Sequence, residues 1–225
     1  MKLRGALPGA AVALVLLTGC SQLAPGTAAE VNGTRITDDE VSALADAQCL
    51  AARTAAKQGQ QVTTLAESRL KQQSLGLLMD TELSLQYAAD QKITPTPSLV
   101  TGFYQQLEPG IDPLPSSART ELSEVFHRWA EGRAALVEAG SKATGKATSF
   151  TNVNELLTAG LKARDSWLKG AKIQTDPRYG PAKNGFPGGS DSSVSRATSS
   201  FAKDATAAQS SPTFVSGLPA SQKCG

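Results

Sequence analysis

Polar capping motifs placed ahead of apolar stripes divide the middle of this chain into helices, and this pattern constrains its fold most strongly. The segment Thr37–Glu40 has the spacing of a capping box, in which the first and fourth side chains each bond the other residue's backbone N–H. The segments Thr64–Glu67 and Asn152–Glu155 repeat that spacing. Apolar residues then recur every three or four positions, so each box predicts a helix with one buried face.

The full pattern predicts five helices. Three of them follow the capping boxes and run to about Gly59, Lys92 and Gly170. A short helix begins at Thr96-Pro97, because proline suits the first helical position. A longer one ends at Gly140, a residue type that commonly follows the last helical turn.

Extended segments are predicted at both ends of this helical region. Asn32-Gly33 is a tight-turn signal between two short apolar-alternating stretches. We expect a mainly α fold in which a two-stranded ribbon joins residues 29–36 to residues 171–176. The proline- and glycine-rich stretch 108–116 is predicted to be a loop.

The first residues of the chain indicate export. A short positive start and an apolar run over residues 6–17 precede Cys20, which is the layout of a secretory signal. Its end at a cysteine resembles the lipobox of bacterial lipoproteins. The resemblance implies removal of residues 1–19, a diacylglycerol on Cys20, and a tether over residues 20–27 at the outer face of the cytoplasmic membrane. The alternative is an uncleaved anchor or a chance cysteine.

The charge balance argues against a nucleic-acid partner. The 22 basic and 20 acidic residues give a formal charge of +2, and Lys2 and Arg4 of the predicted signal account for that excess. The remaining chain is near neutral and has no stripe of basic residues, whereas nucleic-acid binding needs several cations on one face.

The two other cysteines, Cys49 and Cys224, are predicted to form a disulfide, since exported chains favour paired thiols. The bond would close a loop of about 175 residues and stabilise the fold by roughly 5 kcal/mol on the chain-entropy model. The alternative is two separate thiols. Cys224 ends a stretch, residues 181–225, that is rich in serine, proline and glycine, and this stretch is predicted to be a mostly extended or disordered tail.

No motif reaches the level of a catalytic signature. Glu124 and the single histidine, His127, have the spacing of half a di-iron site, but the second half is missing. The lysine-containing stretches 140–142 and 144–146 do not form a phosphate-binding loop and are interpreted as a flexible polar loop. We therefore expect no enzyme activity, no metal and no cofactor.

Aromatic side chains offer two interpretations. They can line a groove for apolar peptide segments, or they can pack in the core at helical spacing. These residues are Phe103, Tyr104, Phe126, Trp129 and Trp167.

Two phrases of the sequence resemble SurA-type extracytoplasmic chaperones. Residues 29–37 read AEVNGTRIT and lead into a capped helix, and residues 88–96 read AADQKITPT after a long helix. The last predicted helix and strand resemble the family's return helix and strand, so the likeness covers about residues 28–180. Full-length members also carry prolyl isomerase modules with paired histidines, and this chain has one histidine and no segment of that kind.

The resemblance implies a module that binds unfolded or partly folded exported polypeptides without isomerase activity. The predicted client-contacting residues are Tyr104, Leu107, Trp129 and Trp167. The alternative is a ligand-binding or cell-envelope scaffolding lipoprotein on the same helical scaffold.

Overall fold

The computed structural model describes residues 23–149, 151–179, 182–183, 186–187, 199–200, 203 and 212–225. The predicted signal peptide 1–19 and the lipid-carrying Cys20 lie outside these residues. Within them, no helix has the length and apolar character needed to cross a membrane. The helices are α1 Asp38–Lys57, α2 Glu67–Asp90, α3 Pro97–Gln105, α4 Glu108–Ile111, α5 Ser116–Thr144, α6 Val153–Leu168 and α7 Pro212–Gly217. The strands are β1 Thr27–Val31, β2 Thr34–Thr37, β3 Leu65–Ala66, β4 Ile173–Thr175, β5 Ala182–Lys183, β6 Phe186–Pro187 and β7 Lys223–Cys224. The mainly α fold with five substantial helices is confirmed.

A small antiparallel sheet joins the two ends of the helical region, as predicted. Its strand order is β2-β1-β4, so the ribbon contains a third strand contributed by the first hairpin. The hairpin turns at Asn32 and Gly33, whose φ angles of 49° and 89° are those of a tight turn between twisted strands. Asn32 Oδ1 also accepts a hydrogen bond of 2.7 Å from the backbone N–H of Lys172, ahead of β4.

Polar side chains fix this sheet to the start of α1. The Arg178 guanidinium donates to Asp38 at 2.7 Å and to Asp176 at 2.8 Å, and the Tyr179 hydroxyl donates to Asp38 at 2.9 Å. Burial, together with the bond to Asp38, raises the pKa of Tyr179 to about 12. The hydrogen bond from Arg178 holds the pKa of Asp176 below its ordinary value.

The first helix is capped as the sequence predicts. The Thr37 hydroxyl accepts a hydrogen bond of 3.2 Å from the Glu40 N–H, and the Thr37 N–H donates to the Glu40 carboxylate at 2.7 Å. This reciprocal pair satisfies two backbone donors that a helix start leaves open. The predicted capping box at Thr37–Glu40 is therefore confirmed.

The core lies where the sheet and α1, α2 and α5 meet. Val31 of β1 and Val41 of α1 are fully buried against the apolar face of α2. A second buried cluster forms around α4, which lies between α1 and the start of α5. The first cluster includes Leu75, Met79 and Leu83; the second includes Leu44, Ile111, Leu114 and Leu122.

Helices α5 and α6 form an antiparallel pair that approaches closely through two glycines. A Cβ atom built on Gly140 would lie 1.8 Å from the Leu156 carbonyl oxygen, and one built on Gly160 would lie 1.8 Å from the Leu136 oxygen. The prediction that Gly140 ends a helix is wrong, because this glycine serves the contact between the helices. Helix α5 continues to Thr144 and ends at Gly145, whose φ of 68° is left-handed.

Two other predicted capping boxes are wrong. Leu65–Ala66 form a strand with β7, so α2 begins only after Ala66 and receives no hydrogen bond from a capping side chain. At α6, the Asn152 side chain bonds the N–H of Ser149 instead of capping the helix.

The predicted loop over residues 108–116 contains α4, and α5 begins at its last residue. Pro109 lies in the first turn of α4. Backbone N–H groups in a first turn make no hydrogen bond within the helix, so proline, which lacks an N–H, fits there. The prediction of a continuous loop is therefore wrong for this stretch.

Part of the C-terminal stretch has regular structure. Residues 212–225 contain α7, a turn of 3-10 helix and β7, so this part of the predicted extended or disordered tail includes a helix that was not expected. The predicted boundaries of the tether, the helical domain and the tail stay predictions.

Candidate functional site

Helix α3 carries apolar side chains that the core does not cover. Pro97 begins the helix, and the Thr96 hydroxyl ahead of it bonds the Glu138 carboxylate of α5. None of the residues of α3 is buried, and the side chains of Val100 and Phe103 are half-buried.

One aromatic pair, formed between α3 and α5, lies outside the buried clusters. The rings of Phe103 and Trp129 meet edge to face with centroids 6.0 Å apart, and both side chains are half-buried. The guanidinium of Arg133, one turn further along α5, lies 5.3 Å from the Trp129 centroid. This geometry is that of a cation–π contact, and the same guanidinium pairs with Asp80 at 3.3 Å.

A second aromatic contact orients Tyr104. Its ring stacks on that of His127 with centroids 3.7 Å apart, and its hydroxyl donates to Ser123 Oγ at 3.1 Å. Leu107, one turn further along the chain, packs against the buried cluster around α4. The structure thus brings Tyr104, Leu107 and Trp129 to the region where α3 lies on α5.

We call this region the α3–α5 surface. Its members are half-buried apolar or aromatic side chains of α3, of the residue pair after it and of the first half of α5. They are Leu99, Val100, Phe103, Tyr104, Leu107, Phe126 and Trp129. Beside them, burial raises the pKa of Glu121, and the nearby charges of Glu124 and Glu40 raise it further.

Trp167, the fourth predicted client-contacting residue, lies elsewhere. Its ring meets that of Tyr87 edge to face at 5.8 Å, and it packs against the buried clusters formed by the sheet, α2, α5 and α6. Its role in client contact stays a prediction, but it does not share a surface with the other three.

The residues considered for metal chemistry do not come together. Glu124 and His127 are both exposed on α5, and His127 is engaged in the stack with Tyr104. Within the described part of the chain, no three His, Cys, Asp or Glu residues are grouped as metal ligands would be.

The two predicted disulfide partners do come together. The Sγ atoms of Cys49 and Cys224 are 2.22 Å apart and their Cα atoms 5.3 Å apart, across 175 residues of sequence. A Cα separation of this size suits a disulfide. The oxidised state of the pair stays a prediction.

Sequence reasoning missed Leu99 and Arg133. Leu99 lies one helical turn before Phe103, and Arg133 lies one helical turn after Trp129. The available signal was the i to i+4 spacing of Trp129 and Arg133, which brings two side chains together on a helix surface.

One comparison with known proteins found a match in the N-terminal part of the chain. Residues 6–108 match the family model of the SurA-like N-terminal domain. The match includes the β1–β2 hairpin, α1, α2 and α3, and it confirms the resemblance on which the sequence analysis relied. This domain indicates a chaperone-like fold family. No curated protein and no solved structure matched the chain in the same comparisons.

Proposed function

We propose, starting from the SurA-like N-terminal domain in this chain, that the protein is a lipid-anchored extracytoplasmic module that binds unfolded or partly folded exported polypeptides. The observation that carries the proposal is the α3–α5 surface within or beside the matched residues 6–108. The protein holds its clients without changing a covalent bond or a peptide-bond isomer.

The α3–α5 surface has the composition that such binding needs. Its side chains are half-buried, so each leaves part of its apolar area accessible, and clustered accessible apolar groups commonly mark an interaction site. Aromatic rings such as Phe103 and Trp129 offer large, rigid contact area to many side chains, because their apolar faces do not require one partner sequence. Arg133 lies over Trp129 and is paired with Asp80 at 3.3 Å, so it holds the ring in place beside the surface.

The proposed anchor would keep this surface near the membrane. The first strand begins at Thr27, seven residues after Cys20. A fully extended chain of that length spans at most about 24 Å. A polypeptide emerging from the membrane would therefore meet the module within a short distance of its exit.

The test is client capture on proteoliposomes that carry the full lipidated chain. A labelled, reduced and unfolded secreted protein is mixed with them, and its co-flotation is compared with that on empty liposomes. Trp129→Ser and Trp167→Ser provide a matched pair, because both remove a half-buried tryptophan in an edge-to-face pair. Circular dichroism confirms that each variant is folded.

We expect capture by the wild-type chain, a loss of about tenfold in apparent affinity for Trp129→Ser, and near wild-type affinity for folded Trp167→Ser. No capture by the wild-type chain, or equal capture by the Trp129→Ser variant, would overturn the proposal.

The alternative, a ligand-binding lipoprotein, has one supporting observation. A cleft of about 1260 Å³ lies between the C-terminal residues and the ends of α1 and α2, with Arg53, Arg69 and Lys223 among its lining residues. Native mass spectrometry of the chain purified from membranes would favour this function if a small molecule remained bound.

A further inference from the structure

The last described residues lie across one face of the α1–α2 pair. Lys223–Cys224 pair antiparallel with Leu65–Ala66, which precede α2. Ahead of this pairing, Val215 and Leu218 are buried, with 5% and 9% of their surfaces exposed. Residues 212–225 therefore form a continuous strap that ends on the edge of a two-residue strand.

The strap is attached to α1 and α2 through a small sheet and side-chain contacts. Its sheet consists of two short strands. The Arg53 guanidinium donates to the Lys223 carbonyl at 3.1 Å, and Lys223 Nζ donates to the Ser216 carbonyl at 3.1 Å. The second of these lies within the strap itself. A two-stranded ribbon of this size is not stable alone in water.

The strap also covers its face without filling it. The cleft of about 1260 Å³ lies beneath it, and a second cleft of about 400 Å³ is lined by Lys71, Phe214 and Leu218 among others. Chain ends attached through a short edge pairing can open locally at a lower free energy than the global fold. A disulfide between Cys49 and Cys224, whose Cα atoms are 5.3 Å apart, would be the strongest link between the strap and α1.

We propose that residues 212–225 are a redox-controlled strap, locked over the α1–α2 face by the Cys49–Cys224 disulfide and released when a dithiol reduces that bond. Release uncovers the Leu65–Ala66 edge and the apolar cluster of Ala45, Leu70 and Cys49 beneath it. An extended polypeptide can then add to the same edge in the antiparallel sense that β7 uses. Only this last step rests on the function proposed above.

The reduction proceeds by thiol–disulfide exchange. Cys224 has 4% of its surface exposed and Cys49 is only half-buried, so the attacking thiolate of the dithiol reaches Cys49 Sγ. Cys224 Sγ leaves as a thiolate and takes up a proton. The second thiolate of the dithiol then attacks its own sulfur in the mixed disulfide, and Cys49 leaves and is protonated. The protein gains two electrons and two protons, and the dithiol becomes a disulfide.

The test is hydrogen exchange of the full chain, read by mass spectrometry of peptides, in three states: oxidised, reduced with dithiothreitol, and the Cys49→Ala/Cys224→Ala variant. The reporter peptides cover Leu65–Ala66 and residues 212–225. The internal control is the peptide that covers β4, whose sheet lies away from the disulfide and monitors global folding.

We expect exchange in both reporter peptides to rise at least tenfold on reduction and in the variant, with the β4 peptide within twofold of the oxidised chain. Three results would each overturn the proposal: unchanged exchange in the reporter peptides, an equal rise of exchange in the β4 peptide, or an intact mass that shows two free thiols before reduction. If the strap opens but a labelled unfolded client binds the oxidised and reduced chains equally, only the polypeptide-addition step fails.

Discussion

The two halves of α5 make different contacts, although they belong to one continuous helix of 29 residues. In the C-terminal half, nearly every residue from Ala134 to Gly140 is buried against α2 and α6. In the N-terminal half, only Ala118 and Leu122 are buried, while Phe126 and Trp129 remain half-exposed beside α3. Small residues bring backbones together in the first case, and large aromatic residues keep contact area open in the second.

This difference separates stability from recognition. Close approach of two helix backbones leaves no room for rearrangement, because packed interiors behave like crystals rather than liquids. A loosely covered aromatic surface can accept different side chains. We therefore expect changes in the C-terminal half to affect the free energy of unfolding, and changes in the N-terminal half to affect client binding.

The largest effect is expected from Gly140→Ala. The added methyl group would lie 1.8 Å from the Leu156 carbonyl oxygen, so α5 and α6 must move apart. Overpacking against backbone destabilises a fold by about 3 kcal/mol or more when neither side can yield. Urea unfolding followed by circular dichroism measures the change.

Gly76→Ala is the matched control, since Gly76 also lies inside a helix but has open space where its Cβ would be. We expect it to stabilise the chain by up to about 1 kcal/mol through helix propensity. If both substitutions had the same effect, the close approach of α5 and α6 would not matter to stability.

The next effect concerns the charged groups between α2 and α6. Arg164, with a side chain 7% exposed, donates to Asp80 at 2.6 Å and to the Ser84 hydroxyl at 2.6 Å. Arg164→Met should destabilise the fold by about 2–3 kcal/mol. The substitution leaves the largely buried Asp80 carboxylate with the longer ion pair to Arg133, at 3.3 Å.

Arg128→Met is its control on the open half of α5. Arg128 pairs with Glu82 at 2.8 Å, and its side chain is 54% exposed; Glu82, 14% exposed, also accepts a hydrogen bond of 2.8 Å from Gln86 Nε2. Because the arginine is solvated and the carboxylate keeps a second donor, we expect Arg128→Met to cost about 1 kcal/mol. Urea unfolding measures the loss of unfolding free energy in each variant. Equal losses for the two arginine variants would contradict the different roles that we assign to the two halves of α5.

The two tryptophans sharpen the comparison further. Trp167→Ala removes contacts with two buried clusters and should destabilise the fold by about 2 kcal/mol. Trp129→Ala removes mainly the contact with Phe103 and should cost about 1 kcal/mol. Thermal unfolding of both variants checks the order, and the reverse order would contradict it.

The smallest effect is expected from acid, which acts on the β1–β4 sheet rather than on α5. Since Arg178 lowers the pKa of Asp176 in the folded chain, the ion pair stabilises the fold above the unfolded-state pKa near 3.8. That stabilisation is lost as the pH falls below this value. We expect the wild-type chain to lose more unfolding free energy between pH 6 and pH 3 than Asp176→Asn. Equal losses would contradict the assignment.

Local signals predicted the parts of the fold that depend on neighbouring residues. The Asn32-Gly33 turn and the Thr37–Glu40 cap need only a few consecutive residues, and both form as expected. Gly140 was misjudged because its partner, Leu156, lies on another helix. The cap at Thr64–Glu67 failed because β7, far along the chain, draws Leu65–Ala66 into a strand.

The candidate site was only partly predictable for a similar reason. Helical spacing identifies aromatic residues such as Trp129 and Trp167, but it does not tell which of them other helices cover. The Trp167 ring contacts Tyr87 of α2, whereas the Trp129 ring contacts Phe103 of the short helix α3 and Arg133 of its own helix. Burial of this kind is decided by tertiary packing, which one sequence does not encode locally.

The central claim, that the α3–α5 surface holds clients, is tested most directly by site-specific photocrosslinking. A benzophenone amino acid replaces Phe103 in the full chain on proteoliposomes, and the same group replaces Lys162, an exposed residue of α6, as the control. We predict that a bound unfolded client crosslinks from position 103 at least five times more than from position 162. Equal crosslinking from both positions, or none from 103 while the client is bound, would contradict the claim.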